Sequence, residues 1–499
     1  MRTGSDVREP VLVVGAGPVG MAAALLLARA GVPSVVLEAH PHRQTVGSRS
    51  ICVQRDVLDV LRRVGVADDV VAAGITWYTG RIYHREHEVA RMDFPGTGAE
   101  AYPPFVNTGQ TEVELLLQAR AEAEPLIELR WSHKVLTLRQ DDTGVTVEVG
   151  TPDGVSTLRG THCVAADGGR STVRDALGLP FEGRSFDDQF LIADIRVDLD
   201  VPAPERRFYF DPAWNPGRQV LVHPQANSVW RIDWQVPTEF ELAAEQASGG
   251  LDAKIRAVVG ERDYELVWLS VYRFHQRQVP TMRVGRVLLA GDSAHVMSPF
   301  GARGMNSGIA DAENAAWKIA LDRAGVAGPA LLESYSDERG AAAAENLRVT
   351  GETMRFLVPA DDAERAVRLD VLERSVRDES VRPLIDSGKL SEPFWYLLSP
   401  LTTPADEAEL AAFPTSPGQV RPPLPGVLCP DLPLPTGGRL RTRFGPGFTE
   451  LTAADLPAQT AAALRIPAGG AALVRPDGYL AAVVPVAELP AARRRALGW

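Results

Sequence analysis

Residues 11–38 read VLVVGAGPVGMAAALLLARAGVPSVVLE, and this stretch decides the fold. Val11–Val14 has the continuous apolar character of a buried strand, Gly15, Gly17 and Gly20 punctuate a turn, residues 21–30 read as a helix, and Ser34–Leu37 reads as a second strand. The order strand, turn, helix, strand is a βαβ unit. In the pattern Gly15-Ala-Gly17-Pro-Val-Gly20 the first glycine permits a tight turn. The second lets backbone approach a pyrophosphate, and the third lets helix and strand pack closely. The helix N-terminus then faces the phosphates. Glu38 ends the second strand, where a carboxylate accepts hydrogen bonds from adenosine ribose hydroxyls. The motif predicts a bound dinucleotide without separating FAD from NAD.

The same apolar run does not read as a signal peptide or membrane span, because three glycines and Pro18 interrupt it and the leader MRTGSDVREP balances two acids against two arginines. At 499 residues, 45% hydrophobic and 23% charged, the chain is expected to form two or three globular parts able to bury a large cofactor. The net charge of −12 is dispersed, which argues against nucleic acid or an anionic membrane as partner and leaves small molecules. Cys52, Cys163 and Cys429 fall in no metal-binding or CxxC spacing. No metal site or disulfide framework is expected, and a reducing cytoplasm suits the chain.

Further along, 77–105 and 190–271 carry short β-like runs such as QVLVH and SVWRIDWQV, which predict an inserted sheet. After GRVLLAGDSAH the sequence becomes Ala-, Glu- and Arg-rich and reads as long helices ending near Pro400; residues 414–438 are dense in proline and glycine. The expected division is a dinucleotide-binding part over 1–185, with 77–105 lent to the inserted sheet, the inserted sheet over 186–280, a return to the dinucleotide-binding part over 281–400, and a linker with a C-terminal domain over 401–499. Two more motifs follow the first. VAADGGRSTVRDALG ends a strand at Asp167-Gly168, with Arg170, Ser171 and Arg174 on the turn and helix start; a plain capped surface helix would read the same. GRVLLAGDSAHVMSPFGARGMNSGIADAENAAWKIA ends a buried strand at Gly291-Asp292 and enters a helix after Gly304. That helix start could stabilise negative charge, and Asp292 could hold sugar-like hydroxyls.

In order and spacing these three stretches resemble the FAD-dependent aromatic hydroxylases, the group A flavoprotein monooxygenases, in their phenol hydroxylase and 3-(3-hydroxyphenyl)propionate hydroxylase branch. The fold class that the resemblance implies is α/β and α+β: a Rossmann-like FAD-binding domain, an inserted β-sheet substrate domain and a thioredoxin-like C-terminal domain. The tail segments GPGFTEL and ALVRPDGYLA carry the last likeness, without a CxxC. FAD would be held by Gly15, Gly17, Pro18, Gly20, Glu38, Arg49, Gln110, Asp167, Gly168, Gly291, Asp292, Pro299, Gly304, Met305 and Asn306. The chain departs from the family's usual text at Ala302-Arg303 before Gly304, at Asn314-Ala315, and at Ala481-Ala482 after the RPDG segment. Arg303 is expected to set a cation near the flavin.

No second GxGxxG follows a strand, so NADH or NADPH would dock transiently as electron donor, and O2 and an aromatic small molecule would complete the reactants. The implied chemistry is hydroxylation of a phenolic or other electron-rich ring through a flavin C4a-hydroperoxide, in biosynthesis or aromatic catabolism. Two other readings stay open, a flavin monooxygenase with another outcome (dearomatisation or Baeyer–Villiger-like ring opening) and a non-catalytic flavoprotein. Pro299 is the expected residue at the oxygen-reacting face, with a helix-start proline as the alternative. Strand alternation puts Arg231, Asp233 and Gln235 on one face and Trp230, Ile232, Trp234 and Val236 on the other. The polar face is either solvent-exposed or the roof of a pocket with His223 and Gln225; in the second case His223 or Asp233 could take the phenol proton, beside Arg231. Trp77, Tyr209 and Tyr272 are candidate pocket walls, and His295 is expected to be structural. Oligomeric state is left open, a homodimer being one option.

Overall fold

The computed structural model describes residues 9–44, 50–94, 101–199, 204–435 and 437–499. Val11–Val14 lies inside a six-stranded sheet in the order Arg283–Val284, Val287–Leu289, Cys163–Ala165, Val11–Val14, Ser34–Leu37, Ile127–Arg130. All its pairings are parallel except the hairpin at Arg283–Val284. Parallel strands are buried on both faces, which is why these segments read as unbroken apolar runs. One face is covered by the helices Pro18–Arg29 and Arg303–Arg323, which cross at Gly308, where an added Cβ would stand 2.6 Å from Val19 Cγ2 and 3.1 Å from Gly291 Cα. Nothing bulkier than glycine fits there.

An antiparallel meander, Lys134–Gln140, Val145–Thr151 and Gly154–Gly160, was not anticipated from the sequence. The inserted sheet was. It has eight strands in the order His295–Val296, Glu265–Gln278, Glu182–Arg196, Val229–Val236, Gln219–Pro224, Glu205–Phe210, Thr79–His84, His87–Asp93. Its two faces bury different partners. Trp230, Ile232, Trp234 and Val236 pack with Val220 and Val222 against Leu251, Ile255 and Val259 of the helix Gly250–Val259. The opposite face sets Phe190, Phe208 and Leu221 against Phe300 and against Met354 and Leu357 of the helix Ala330–Leu357. Neither face is a simple solvent-facing one.

The helical section ends with the turn Glu379–Leu384, earlier than the expected limit near Pro400, because residues 385–400 run as irregular chain among prolines and glycines. The C-terminal part forms three antiparallel strands, Thr449–Thr452, Gly470–Val474 and Leu480–Pro485, backed by the helix Leu489–Ala496. Its RPDG segment is a buried latch. Arg475 is fully buried and grips Glu338 through both Nη atoms (2.6 and 2.8 Å) as well as Asp477. Asp477 accepts from Trp317 Nε1 at 3.0 Å, and Lys318 Nζ completes the ring on Glu338 at 2.8 Å. No helix among the described residues is long and apolar enough to cross a membrane.

Candidate active site

The three motifs converge at the C-terminal edge of the parallel sheet, where open α/β sheets place their ligands. Val14 leads into Gly15, Leu37 into Glu38, Ala165 into Asp167 and Leu289 into Gly291, on four adjacent strands. Their closeness can be read from the glycines. Gly15 has φ +100°, and a Cβ on it would meet Ala166 O at 2.4 Å and Asp167 Cα at 3.1 Å; a Cβ on Gly291 would meet Val19 Cγ2 at 3.0 Å. First and second motifs therefore touch through backbone, and the third meets the first through the Val19 side chain.

Two helix starts without a side-chain cap point at this edge. The helix Pro18–Arg29 begins after Gly17 with Pro18 in its first turn, no side-chain cap and no acid there, and a Cβ on Gly17 would meet nothing within 4 Å. The helix Arg303–Arg323 likewise has no side-chain cap and no acid in its first turn, and the space around Gly304 is equally open. Helix N-termini leave backbone N–H groups unsatisfied and carry partial positive charge, so each suits an anionic group. Glu38 is half-buried beside the first, accepting from Ala16 N at 2.9 Å and His40 N at 3.0 Å with lone pairs to spare for hydroxyls. A diphosphate at Gly17, a sugar at Glu38 and an electron-poor ring at Gly304 fit these vacant donors, so the cradle suits FAD.

Several predicted positions serve the cradle indirectly. Asp167 accepts from Ser171 Oγ (2.6 Å) and Val173 N (3.1 Å), so it caps the helix Thr172–Ala176; burial raises its pKa despite these bonds. Gly168 takes φ +81°, a left-handed turn that favours glycine. Gln110 Oε1 accepts from Ser50 N at 3.3 Å, bracing the chain next to Arg49, which lies outside the described residues. Asn306 donates to Cys52 O (2.9 Å) and accepts from Gln54 N (3.1 Å), tying the helix start to the strand Cys52–Gln54, and Met305 is buried behind it. Asp292 is exposed on the turn Gly291–Ser293. His295 is buried, its Nε2 lying 2.7 Å from Asp311, which Arg339 also binds at 2.6 Å.

The segment Ser298-Pro299-Phe300-Gly301 bridges the cradle and the inserted sheet. Phe300 is anchored among Phe190, Phe274 and Phe208 at ring separations of 5.4, 5.8 and 6.5 Å, while Pro299 stands exposed. Pro299 does not start a helix, since the left-handed Ala302 intervenes before Arg303. Gly301, at φ +95°, would bring a Cβ to 2.2 Å from Lys389 O, so residues 386–390 lie directly against this segment. The Arg303 guanidinium is buried and fixed, donating to Asn346 Oδ1 (2.5 Å), Lys389 O (3.0 Å) and Leu390 O (3.1 Å).

On the inserted sheet the polar face is turned inward, not toward solvent. Arg231 is 2% exposed and forks onto Asp194 at 2.7 and 2.8 Å; Gln225 Nε2 donates to the same carboxylate at 3.0 Å. Gln235 binds Asp188 at 2.5 Å. Asp233 stands between them with Oδ1 buried and unbonded, and its Oδ2 lies 3.9 Å from His223 Nε2. Burial lifts the Asp233 carboxyl to about 7 against the pull of Arg231. For His223, burial and then the guanidinium groups of Arg206 and Arg231 hold the ring well below its usual range, so it is neutral. Register puts Tyr272 across from Phe190 on this inward face. Tyr209 is a correction: paired with Val220, it lies on the other face, stacked on Tyr83 at 4.9 Å and lining a separate cleft of about 270 Å³ with Trp214 and Trp230. Trp77 is also no open wall, being 2% exposed with its indole N–H on Asn107 Oδ1 at 2.9 Å.

Two residues, Arg43 and Arg206, escaped the sequence, and a third, Arg174, was read there only as part of the second motif's helix start. Arg43 donates to Ala16 O at 2.9 Å and pairs with Glu114 at 2.9 Å, bracing the glycine turn from outside any motif. Arg174 joins the second motif to the third through Gly169 O (3.1 Å) and Ser293 O (3.3 Å). Arg206, in the inward row beside His223, could have been found only once strand register was known.

Residues 8–350 match the FAD binding domain family. Para-nitrophenol 4-monooxygenase of Pseudomonas sp. (strain WBC-3) is 32% identical over 350 residues, 67% of this chain and 83% of that protein. A 3-(3-hydroxy-phenyl)propionate/3-hydroxycinnamic acid hydroxylase of Comamonas testosteroni is 33% identical over 334 residues, 66% of this chain, which spans only 55% of that relative's length. In fold, the chain superposes on the flavin-dependent monooxygenase PieE, solved with FAD and substrate, at TM-score 0.83 and 24% identity, covering 99% of this chain and 100% of that one. With the family model matched over residues 8–350 and a relative 32% identical over 67% of this chain, the chain belongs to the FAD binding domain family of flavoprotein monooxygenases and takes FAD as its cofactor.

Proposed function

We propose that the protein hydroxylates a phenolic or other electron-rich aromatic ring, consuming NADH or NADPH and O2 and releasing water with the oxidised nicotinamide. When bound, FAD supplies the redox chemistry, accepting hydride and activating O2. The observation that carries the reading is Asp233, an inward carboxyl with one unbonded oxygen and an ionisation poised at about 7, on the sheet that roofs the cradle.

A base is most effective when its pKa lies near the working pH, and Asp233 meets that condition. As carboxylate it takes the proton of the substrate hydroxyl, which raises electron density at ring carbons ortho and para to it. His223, neutral between two guanidinium groups, orients the hydroxyl rather than storing the proton. Arg231 is already saturated by Asp194 and keeps Asp233 from rising further. Phe300 seats the Pro299 segment, and the aromatic layer around it excludes water. Gly15, Gly17, Gly20, Glu38 and Gly304 hold the cofactor, with Asp167, Gly168, Gln110 and Asn306 as braces. The three cysteines are free and buried, in keeping with a reducing cytoplasm.

The test is direct. FAD-loaded protein should be assayed for NADH and NADPH oxidation with a panel of phenols, measuring hydrogen peroxide and product mass together. Stimulated oxidation with a product one oxygen heavier is the expected result. Oxidation that yields only peroxide with every phenol, or none at all, overturns the reading.

A further inference from the structure

We infer that the cleft on the outer side of the inserted sheet is a second small-molecule site, separate from the inward face above the cradle. It takes a flat one- or two-ring aromatic carrying a single anionic group, with the rings against Tyr209 and Trp214 and the anion on Arg262. The inference goes beyond the proposed hydroxylation and does not rest on it.

The cleft exists because one layer of the fold stays open at its end. Over the middle of the sheet, Ile232 and Trp234 are sealed under Leu251 and Ile255 of the helix Gly250–Val259. In its last turns the same helix offers Ala257 and Val258, both short, and a cleft of about 270 Å³ remains over Arg207, Tyr209 and Trp230. Packed interiors leave few voids of that size. Pockets for drug-sized ligands run to roughly 300–1,000 Å³, so this one suits a smaller molecule. The sheet itself separates the two sites. Arg207 and Tyr209 alternate along one strand with the inward Phe208, and Trp230 precedes the inward Arg231 on another.

The aromatic walls are held in place before a ligand arrives. Tyr209 stacks on Tyr83 at 4.9 Å, and Trp214 meets it at 5.6 Å with planes 65° apart, a corner that leaves the indole only half-buried. The turn that carries Trp214 is pinned. Asn215 Nδ2 donates to Gln219 O and Gln235 O, both at 3.2 Å, while Asp211 accepts from Gly217 N at 2.7 Å and from Arg85 at 2.9 Å. A large ring fixed at the mouth of a cleft offers contact area at little ordering cost.

Charge selects the ligand further. Arg207 donates to Glu205 at 2.7 Å, and Arg256, next to Ala257, donates to Asp252 at 2.9 Å, so both are compensated. Arg262 differs: it lines the cleft, donates Nη1 to Val259 O at 3.1 Å, and forms no ion pair among the described residues. Its neighbours Glu261 and Asp263 are exposed and do not line the cleft. The bond to Val259 O steadies the guanidinium, whose remaining donors suit a carboxylate or sulfonate.

The test uses the full chain loaded with FAD, titrated calorimetrically at pH 7.5 with 2-naphthoate and with 2-naphthamide while the visible flavin spectrum is recorded. Neither probe carries a ring hydroxyl, and the pair differs only in the anion. Naphthoate should bind saturably, about threefold or more tighter than the amide, with the flavin spectrum unchanged. Arg262→Gln should bring the ratio to about one, and Trp214→Ala should weaken both probes about fivefold or more. Arg262 is exposed and Trp214 half-buried, so both variants should keep their FAD content and melting temperature. The inference falls if naphthoate does not bind saturably, if acid and amide bind equally in the unmodified protein, or if either variant binds naphthoate as the unmodified protein does. A flavin spectrum that shifts in step with the heat places the probe beside the cofactor and also overturns it.

Discussion

Asp233 concentrates the chemistry in one ionisation, and its sign has two consequences. An ordinary unfolded carboxyl titrates at about 3.9, whereas folding lifts Asp233 to about 7. Between those values the folded chain holds a proton that the unfolded chain has released, so this residue's contribution to stability falls as pH rises and is lost once pH passes about 7. Asp233→Asn should therefore melt higher than the unmodified protein at pH 8, and by a smaller margin at pH 5, in thermal scans. Turnover moves the other way. kcat/KM should climb through about pH 7 as the carboxylate forms, and the asparagine variant should lose that limb together with about 10²–10⁴-fold of rate. A limb that persists in Asp233→Asn would remove the residue from the mechanism.

At the scale of elements, the two vacant helix starts separate fold from cofactor binding. Gly20 must be glycine for the chain itself, since a Cβ there would stand 2.0 Å from Gly15 O. Gly17 is needed only by the ligand, for its own Cβ would touch nothing. Gly17→Ala is expected to keep its apoprotein melting temperature while FAD affinity drops about tenfold or more in a flavin titration; Gly20→Ala should lose both. Asn306→Ala strands Cys52 O and Gln54 N in the interior and should cost about 1–3 kcal/mol in chemical denaturation. Much of this was legible beforehand. The βαβ unit, the two helices after the third motif and the inward/outward alternation of Val229–Val236 follow from glycine spacing and from periods of 3.6 and 2. The face on which Tyr209 lies, the inward turn of Arg303 and the place of Arg206 beside His223 do not, because they depend on which strand pairs with which and on carbonyls from residues 386–390, far away in sequence.

The molecule as a whole is closed by the RPDG latch, which fastens the C-terminal sheet to the helices Arg303–Arg323 and Ala330–Leu357. Burial raises the Glu338 carboxyl, but Arg475 and Lys318 outweigh it and hold the group well below the usual carboxylate range. Removing one partner leaves a buried charge without compensation, so Arg475→Ala should lose about 3–5 kcal/mol and be cut faster than the unmodified chain along residues 414–438 in limited proteolysis. Unaltered cleavage kinetics would show that the latch is not what holds the C-terminal part in place.

The inserted sheet, finally, is written in two parities. Positions 223, 231, 233 and 235 look into the chamber, while 220, 222, 230, 232, 234 and 236 are committed to the aromatic and aliphatic layer under the helix Gly250–Val259. Specificity and robustness thus occupy alternate letters of the same strands. A library randomised at 223 and 233, with the buried Arg231–Asp194 pair kept, should yield many folded variants with altered ligand choice, and one confined to the second set should yield mostly unfolded chains. The scaffold is in this sense pre-adapted to diversification: it can explore new ligands at one parity without spending the stability stored at the other.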